Sequence, residues 1–231
     1  MEQMKKLPSE ILDAVITDPP YCSGSRQESG KGQRNRMTTT KSSRWFGGDG
    51  LSTQGFLWFM RQCALEWNRL LKPGGHVLVF IDWRMMTYLA AAIESADFRY
   101  NSLLVWDKTY FTMGACFRNQ HELILHFSKG KGVPQRRDVG NVLSQKPVRN
   151  GQHPTEKPVD LIERLLSVVC PKHGLVLDSF AGSGTTGVAC LRSGRHYVLI
   201  ERDPYYAEVA RGRLQREEEM KHSQEEGVRK S

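Results

Sequence analysis

Short apolar runs and longer stretches with helical spacing alternate along this chain. Ile11 to Ile16, His76 to Ile81, Leu175 to Leu177 and Tyr197 to Ile200 are too short for helices and read as buried strands. Phe56 to Met60, with Leu65, Trp67, Leu70 and Leu71, forms an apolar helix face that Lys72-Pro73-Gly74-Gly75 stops. Trp83 to Ser95 and Gly184 to Leu191 have the same period. So does Val159 to Val169, with Pro158 suited to its start and Pro171 halting it. Asp203 is placed to cap a last helix carrying Tyr206, Val209 and Leu214. Asn101 to Trp106 and Glu122 to Phe127 read as a strand pair at the far edge. Strand and helix in alternation imply a parallel sheet, so the expected fold is a doubly wound α/β sheet with its ligands at the carboxyl ends of the strands. A chain of this length makes one domain, placed at residues 1–214. Residues 215–231 are charged and poor in apolar side chains, and are expected to be a disordered tail.

Charge adds a direction to this picture. The chain carries a net +8, and two Gly/Ser/Thr-rich stretches hold all of the excess. Residues 22–50 have six basic residues against two acidic ones, and residues 128–158 have seven against two. Neither stretch has the period of a packed element, and both loops are expected to open on the face of the site, where positive charge is the footprint of phosphate binding. Trp45 and Phe46 in the first loop could stack on a nucleic acid or fold back onto the body. The five cysteines are scattered and odd in number, without a C-x-x-C pair, so they read as reduced thiols rather than a metal site. No long apolar run suggests a membrane span, Met1 to Lys6 lacks the apolar stretch of a signal peptide, and a cytoplasmic location is expected. His121 and His126 fall on opposite faces of a strand and are read as structural.

Candidate chemistry lies at two strand ends. Asp18-Pro19-Pro20-Tyr21 follows the first strand and joins a carboxylate, a rigid backbone and an aromatic ring. The cluster suits methylation of a planar amino group, whose lone pair is delocalised into its ring. Asp18 and the Pro19 carbonyl can each accept one amino hydrogen and draw the nitrogen towards a tetrahedral shape, while Tyr21 stacks on the base. The second motif is Leu175-Val-Leu-Asp178-Ser-Phe180-Ala181-Gly182-Ser183-Gly184-Thr185-Thr186, a strand, glycine turn and helix. Its glycines allow close backbone approach, and the helix start offers N–H groups to a ligand. Glu201 ends the next strand, the usual position for a carboxylate on ribose hydroxyls. This pairing reads as a nucleoside cofactor site, and neither a dinucleotide fingerprint nor a G-K-[ST] ending is present.

These residues resemble the amino-methyltransferases that use S-adenosylmethionine to modify adenine-N6 or cytosine-N4 in DNA. The resemblance covers most of the chain: Asp18 to Tyr21 is similar to the catalytic loop, Trp106-Asp107-Lys108 and Phe117 to Glu122 to the edge of the base pocket, His153 to Pro158 to the lead of the first cofactor helix, and Phe180 to Thr186 to the cofactor loop. Catalytic loop before cofactor loop is the permuted order of the β-class, which implies a Rossmann-like sheet, mostly parallel with an antiparallel edge. It further implies Thr155 and Lys157 at the methionine end of the cofactor, Ser183 and Thr185 nearby, and Glu201 on the ribose. Asp178 is either a cofactor contact or an organiser of the loop. Double-stranded DNA is the implied partner, no metal is required, and a homodimer is compatible with the class. Asp at the first motif position is typical of adenine enzymes and Ser of cytosine-N4 enzymes; a DNA-binding protein that keeps the fold without turnover is the non-enzymatic alternative. Relatives usually begin with a further strand carrying a Gly-Asp pair, so the sheet is expected to lack an edge strand. The segment between Phe127 and His153 is short for a target reader.

Overall fold

The computed structural model describes residues 1–20, 52–112, 116–149, 151–153 and 155–229. Tyr21, Cys22, the first basic loop and Trp45-Phe46 lie outside them. The strands β1 (Leu12–Thr17), β2 (Leu71–Ile81), β3 (Arg99–Asp107), β4 (His121–Ser128), β5 (Val142–Ser144), β6 (Leu175–Asp178) and β7 (His196–Leu199) form one sheet in the order β5-β3-β4-β2-β1-β6-β7. All neighbours pair parallel except β4, which is antiparallel to both β2 and β3. The antiparallel pairing lies on the expected side, with the three-residue β5 added outside it along β3. On the other side the sheet ends at β7 among the described residues.

Among the described residues six helices accompany the sheet: α1 (Glu2–Lys5), α2 (Thr53–Leu70), α3 (Met86–Glu94), α4 (Val159–Val169), α5 (Thr185–Arg192) and α6 (Pro204–Arg229). Alternation along the strands sorts the core onto two faces. Val77, Val79 and Ile81 pack with α2 and α3, whereas Leu78 and Phe80 pack with α4 and α5. The α4 stripe Leu161, Ile162, Leu165, Leu166 and Val169 is wholly buried, and each such side chain contributes about 1.5–3 kcal/mol of transfer free energy. The Ser52 hydroxyl accepts from the Gly55 N–H at 3.1 Å and caps α2.

Two expectations change here. The tail does not fray at Leu214, because α6 continues to Arg229. Its residues there are good helix formers, and Arg192 of α5 holds Glu217 through two hydrogen bonds of 2.7 and 3.0 Å. The second basic segment does not lie wholly beside the site either. Because β4 is reversed, Ser128 releases the chain at the amino end of the parallel strands, where Lys129 pairs with Glu10 and its N–H bonds Gly75 O. Gln135 N–H then meets Val168 O in the last turn of α4, and Arg136 pairs with Asp138. The chain returns to the carboxyl end only from β5 onward. At the amino end His76 Nδ1 and His126 Nε2 lie 3.0 Å apart, and burial together with His76 drives the His126 pKa down to about 4.

Candidate active site

Parallel pairing sets β1 beside β6, so Asp18 and the glycine loop leave neighbouring strands at one end of the sheet. Thr17, the last residue of β1, ties the two together: its hydroxyl donates to Asp178 Oδ1 at 2.8 Å and lies 3.3 Å from the Ser179 hydroxyl. One residue on, Asp18 is half-buried and Pro19 buried. Lys157 Nζ donates to Asp18 Oδ2 at 2.6 Å and lies 3.2 Å from Glu122 Oε2, an ion-pair contact rather than an aligned hydrogen bond. The other oxygen of Glu122 accepts from Lys108 Nζ at 2.6 Å. Glu122 reaches the site because β4 starts, rather than ends, at this edge. Carboxylates and ammonium groups thus alternate in the order Asp18, Lys157, Glu122, Lys108. Lys157 is 7% exposed, with its ammonium 5.1 Å over the buried Phe80 ring. Burial opposes its charge, yet Asp18 and Glu122 outweigh it and hold the pKa above the usual lysine value. Burial likewise opposes the Glu122 charge, and Lys157 and Lys108 pull that pKa below the ordinary value. Asp82, Trp83, Asn119 and His121 line a solvent-open hollow of about 250 Å³ beside Lys108.

The glycine loop is held from three sides. Below it, Asp178 is buried and accepts from Thr186 Oγ1 at 2.6 Å, from Thr17 and from the Phe180 N–H at 3.1 Å. Burial pushes its pKa up to about 6 against these hydrogen bonds. From β7, Glu201 accepts the Gly182 N–H and the Asp203 N–H, each at 2.8 Å. Asp203 Oδ1 accepts the Tyr205 N–H at 2.9 Å and starts α6, as read from the sequence. From α6, Arg213 donates to Ser183 O at 3.0 Å, Ser183 Oγ at 2.7 Å and Thr185 Oγ1 at 3.3 Å, and pairs with Glu156 at 3.1 Å. Gly184 has φ +80°, and a Cβ there would sit 2.8 Å from the Ala210 Cβ, so the loop and α6 meet where only glycine fits. Ala181 is buried at the start of the loop and Phe180 meets Phe59 edge-on at 6.0 Å. His153 is buried between the two halves, edge-on to Tyr206 at 4.4 Å, with Thr155 Oγ1 3.1 Å from its Nδ1.

A family model for DNA methylases of the N6 and N4 type matches residues 12–212. The chain belongs to this DNA methylase family. Members transfer methyl groups from S-adenosylmethionine, so the protein is an S-adenosylmethionine-dependent DNA methyltransferase. It is 33% identical over 211 residues to YubD of Escherichia coli strain K12, which carries methylase in its name; the match covers 91% of this chain and 85% of that one. The type II methyltransferase M.HpaI of Haemophilus parainfluenzae is 28% identical over 247 residues, covering 94% and 72%. Among solved structures, the cytosine-N4-specific PvuII DNA methyltransferase superposes with a TM-score of 0.70 at 19% identity, over 90% of this chain and 80% of that one.

The methylase therefore brings the predicted residues together in a sorted way. Asp18 meets Lys157, and Gly182 meets Glu201. Ser183 and Thr185 are buried against Arg213, Asp178 lies beneath the loop, and Thr155 is exposed. Thr17, Glu156 and Arg213 had no assigned role in the sequence. Arg213 was findable, since Tyr206, Ala210 and Arg213 share one face of α6 at i, i+4 and i+7. Among the described residues no cluster suited to a metal is present, Cys63, Cys170 and Cys190 are buried free thiols and Cys116 an exposed one, and no helix is long and apolar enough to cross a membrane.

Proposed function

We propose that this methylase modifies the N6 amino group of adenine in double-stranded DNA. The observation that carries the reading is the Asp18 carboxylate at the end of β1, beside the strand that bears the glycine loop. That adjacency suits a target amine meeting a methyl donor, and Asp as the first residue of the Asp18 to Tyr21 motif favours adenine over cytosine. The residues present fit the cofactor. Glu201 stands at a carboxyl strand end against the glycine loop, and each of its oxygens, already bonded to one amide, has a second lone-pair direction for a ribose hydroxyl. The bound cofactor supplies a methyl group on a positively charged sulfur. Asp18 and the Pro19 carbonyl accept the amine hydrogens, Pro20 keeps that backbone rigid, and Tyr21 stacks on a base extruded from the duplex. Asp178 serves as organiser of the loop, with Phe180, Ala181, Gly182, Ser183, Gly184 and Thr185 forming its wall and Thr155 near the methionine end. Exposed Lys146 and Arg149, on the returning part of the second basic segment, together with residues 22–50, contact phosphates. A cytoplasmic location goes with this reading.

Incubation of DNA with isotopically labelled cofactor, digestion to nucleosides and mass analysis tests the reading. Labelled N6-methyl-2′-deoxyadenosine is expected. Labelled N4-methyl-2′-deoxycytidine would move the target, and absence of label from DNA would sink the proposal.

A further inference from the structure

We propose that Lys157 is a positioning residue for Asp18, held in place by Glu122, rather than a contact for the cofactor's methionine end. The inference rests on the methyl-transfer reading above. Its basis is where the ammonium points: 2.6 Å from Asp18 Oδ2 and 3.2 Å from Glu122 Oε2, over the Phe80 ring at the end of β2, and only 3.5 Å from the nearer backbone acceptor, Thr155 O. These partners come from β1 and β4, on the target side of the site. None belongs to the glycine loop.

Such an arrangement does two things. The carboxylate torsion of Asp is soft, with broad minima, so an unheld Asp18 would present its oxygens over a range of angles. A charge-assisted bond to Oδ2 selects one orientation and so fixes the direction in which Oδ1 meets an amine hydrogen. The ammonium also lets two carboxylates share a largely buried space. Remove it, and like-charge repulsion makes one of the pair take up a proton at higher pH. Among the described residues, Lys157, His153 and Asp178 act on Asp18, and Lys157 and Lys108 on Glu122. Glu122 is what keeps Lys157 on this side, and Lys108 in turn balances Glu122 from the rim.

The test compares Lys157→Met, Lys157→Arg and Glu122→Gln with the wild type in single-turnover DNA methylation across pH, with the cofactor dissociation constant measured by calorimetry. Lys157→Met should slow methyl transfer by about 10²–10³, the range seen when a preorganised group at a reacting atom is lost. Cofactor affinity should stay within about threefold, while the acid limb of the pH–rate profile moves to higher pH. Lys157→Arg should recover part of the rate, and Glu122→Gln should slow transfer about tenfold with unchanged cofactor affinity. A cofactor dissociation constant that rises in step with the rate loss, or an acid limb that does not move, overturns the proposal. Should Lys157→Met fail to fold, the Arg and Gln variants decide by the cofactor readout: a dissociation constant that rises in step with their rate loss overturns the proposal. Loss of the parent reading would show differently, as a wild type that labels no DNA.

Discussion

On the β6–β7 side of the site, carboxylates hold backbone: Asp178 takes the Phe180 amide and Glu201 the Gly182 and Asp203 amides. On the β1–β2–β4 side they hold ammonium groups, Asp18 and Glu122 on Lys157 and Glu122 again on Lys108. The first side is a shaped wall whose charges are consumed in keeping glycine-rich chain in place, which suits tight and repeated capture of one small molecule. The second is a set of opposed charges around a point, which suits steering charge that appears only during reaction. Substitutions on the wall should therefore change affinity or stability, and substitutions in the charge cluster should change rate.

The largest effect should come from the wall. Arg213→Met leaves Glu156 in a largely buried position without its cation, and breaking such a pair costs about 3–5 kcal/mol. Denaturant unfolding should show the loss, together with weaker cofactor binding; an unaffected cofactor constant would detach α6 from the wall. Asp18→Ala comes next, with a rate loss of about 10²–10³ and cofactor affinity nearly unchanged by calorimetry. Equal loss of both would erase the distinction between the sides. Asp178 offers a sharper contrast, because its side-chain partners are neutral hydroxyls. Its folded pKa, about 6, lies above the usual Asp value, so its contribution to stability is complete below the unfolded pKa near 4 and is lost as pH rises through 6. Unfolding measured from pH 4 to 7 should show this decline, worth up to roughly 3 kcal/mol, and Asp178→Asn should flatten it. Glu201→Ala should weaken cofactor binding by about 1.5–3 kcal/mol and leave the rate at saturating cofactor near that of the parent. A rate defect at saturation would place Glu201 with the charge cluster instead.

Much of this architecture was legible because packing imposes a period. The stripe of α4 and the aliphatic runs of β1, β2 and β6 leave few alternatives, and the glycines at 182 and 184 mark where chain and ligand approach. The three residues of β5 are too few to carry a period. Strand direction is a harder matter: alternation looks identical whichever way a strand runs, so Glu122 is pointed towards the site only by the resemblance, through its base-pocket block and antiparallel edge, and nothing announces that Lys129 leaves at the other end. Lys157 and Asp18 stand 139 positions apart, and only the crossing of β1 with the segment before α4 introduces them. The resemblance accordingly places Lys157 with the cofactor, through the His153 to Pro158 block that contains it. Thr17 left a faint mark, a hydroxyl closing an otherwise aliphatic strand. Charged residues after Leu214 look like unpacked chain by composition, although their helix propensity is high and Glu217 has a waiting arginine.

The reversal of β4 has a further consequence for how such a chain can change. It sends residues 129–149 from the amino end of the parallel strands to their carboxyl end, and the chain is fastened on both sides of this detour, Lys129 to Gly75 and Glu156 to Arg213. Length added near the exposed Lys146 and Arg149 would move neither Glu122 nor Lys157, and doubling a flexible loop costs only about 0.6 kcal/mol of closure entropy. The outward surface of the protein can thus be rewritten by insertion while its reaction centre stays still, as a tool handle can be exchanged without regrinding the blade.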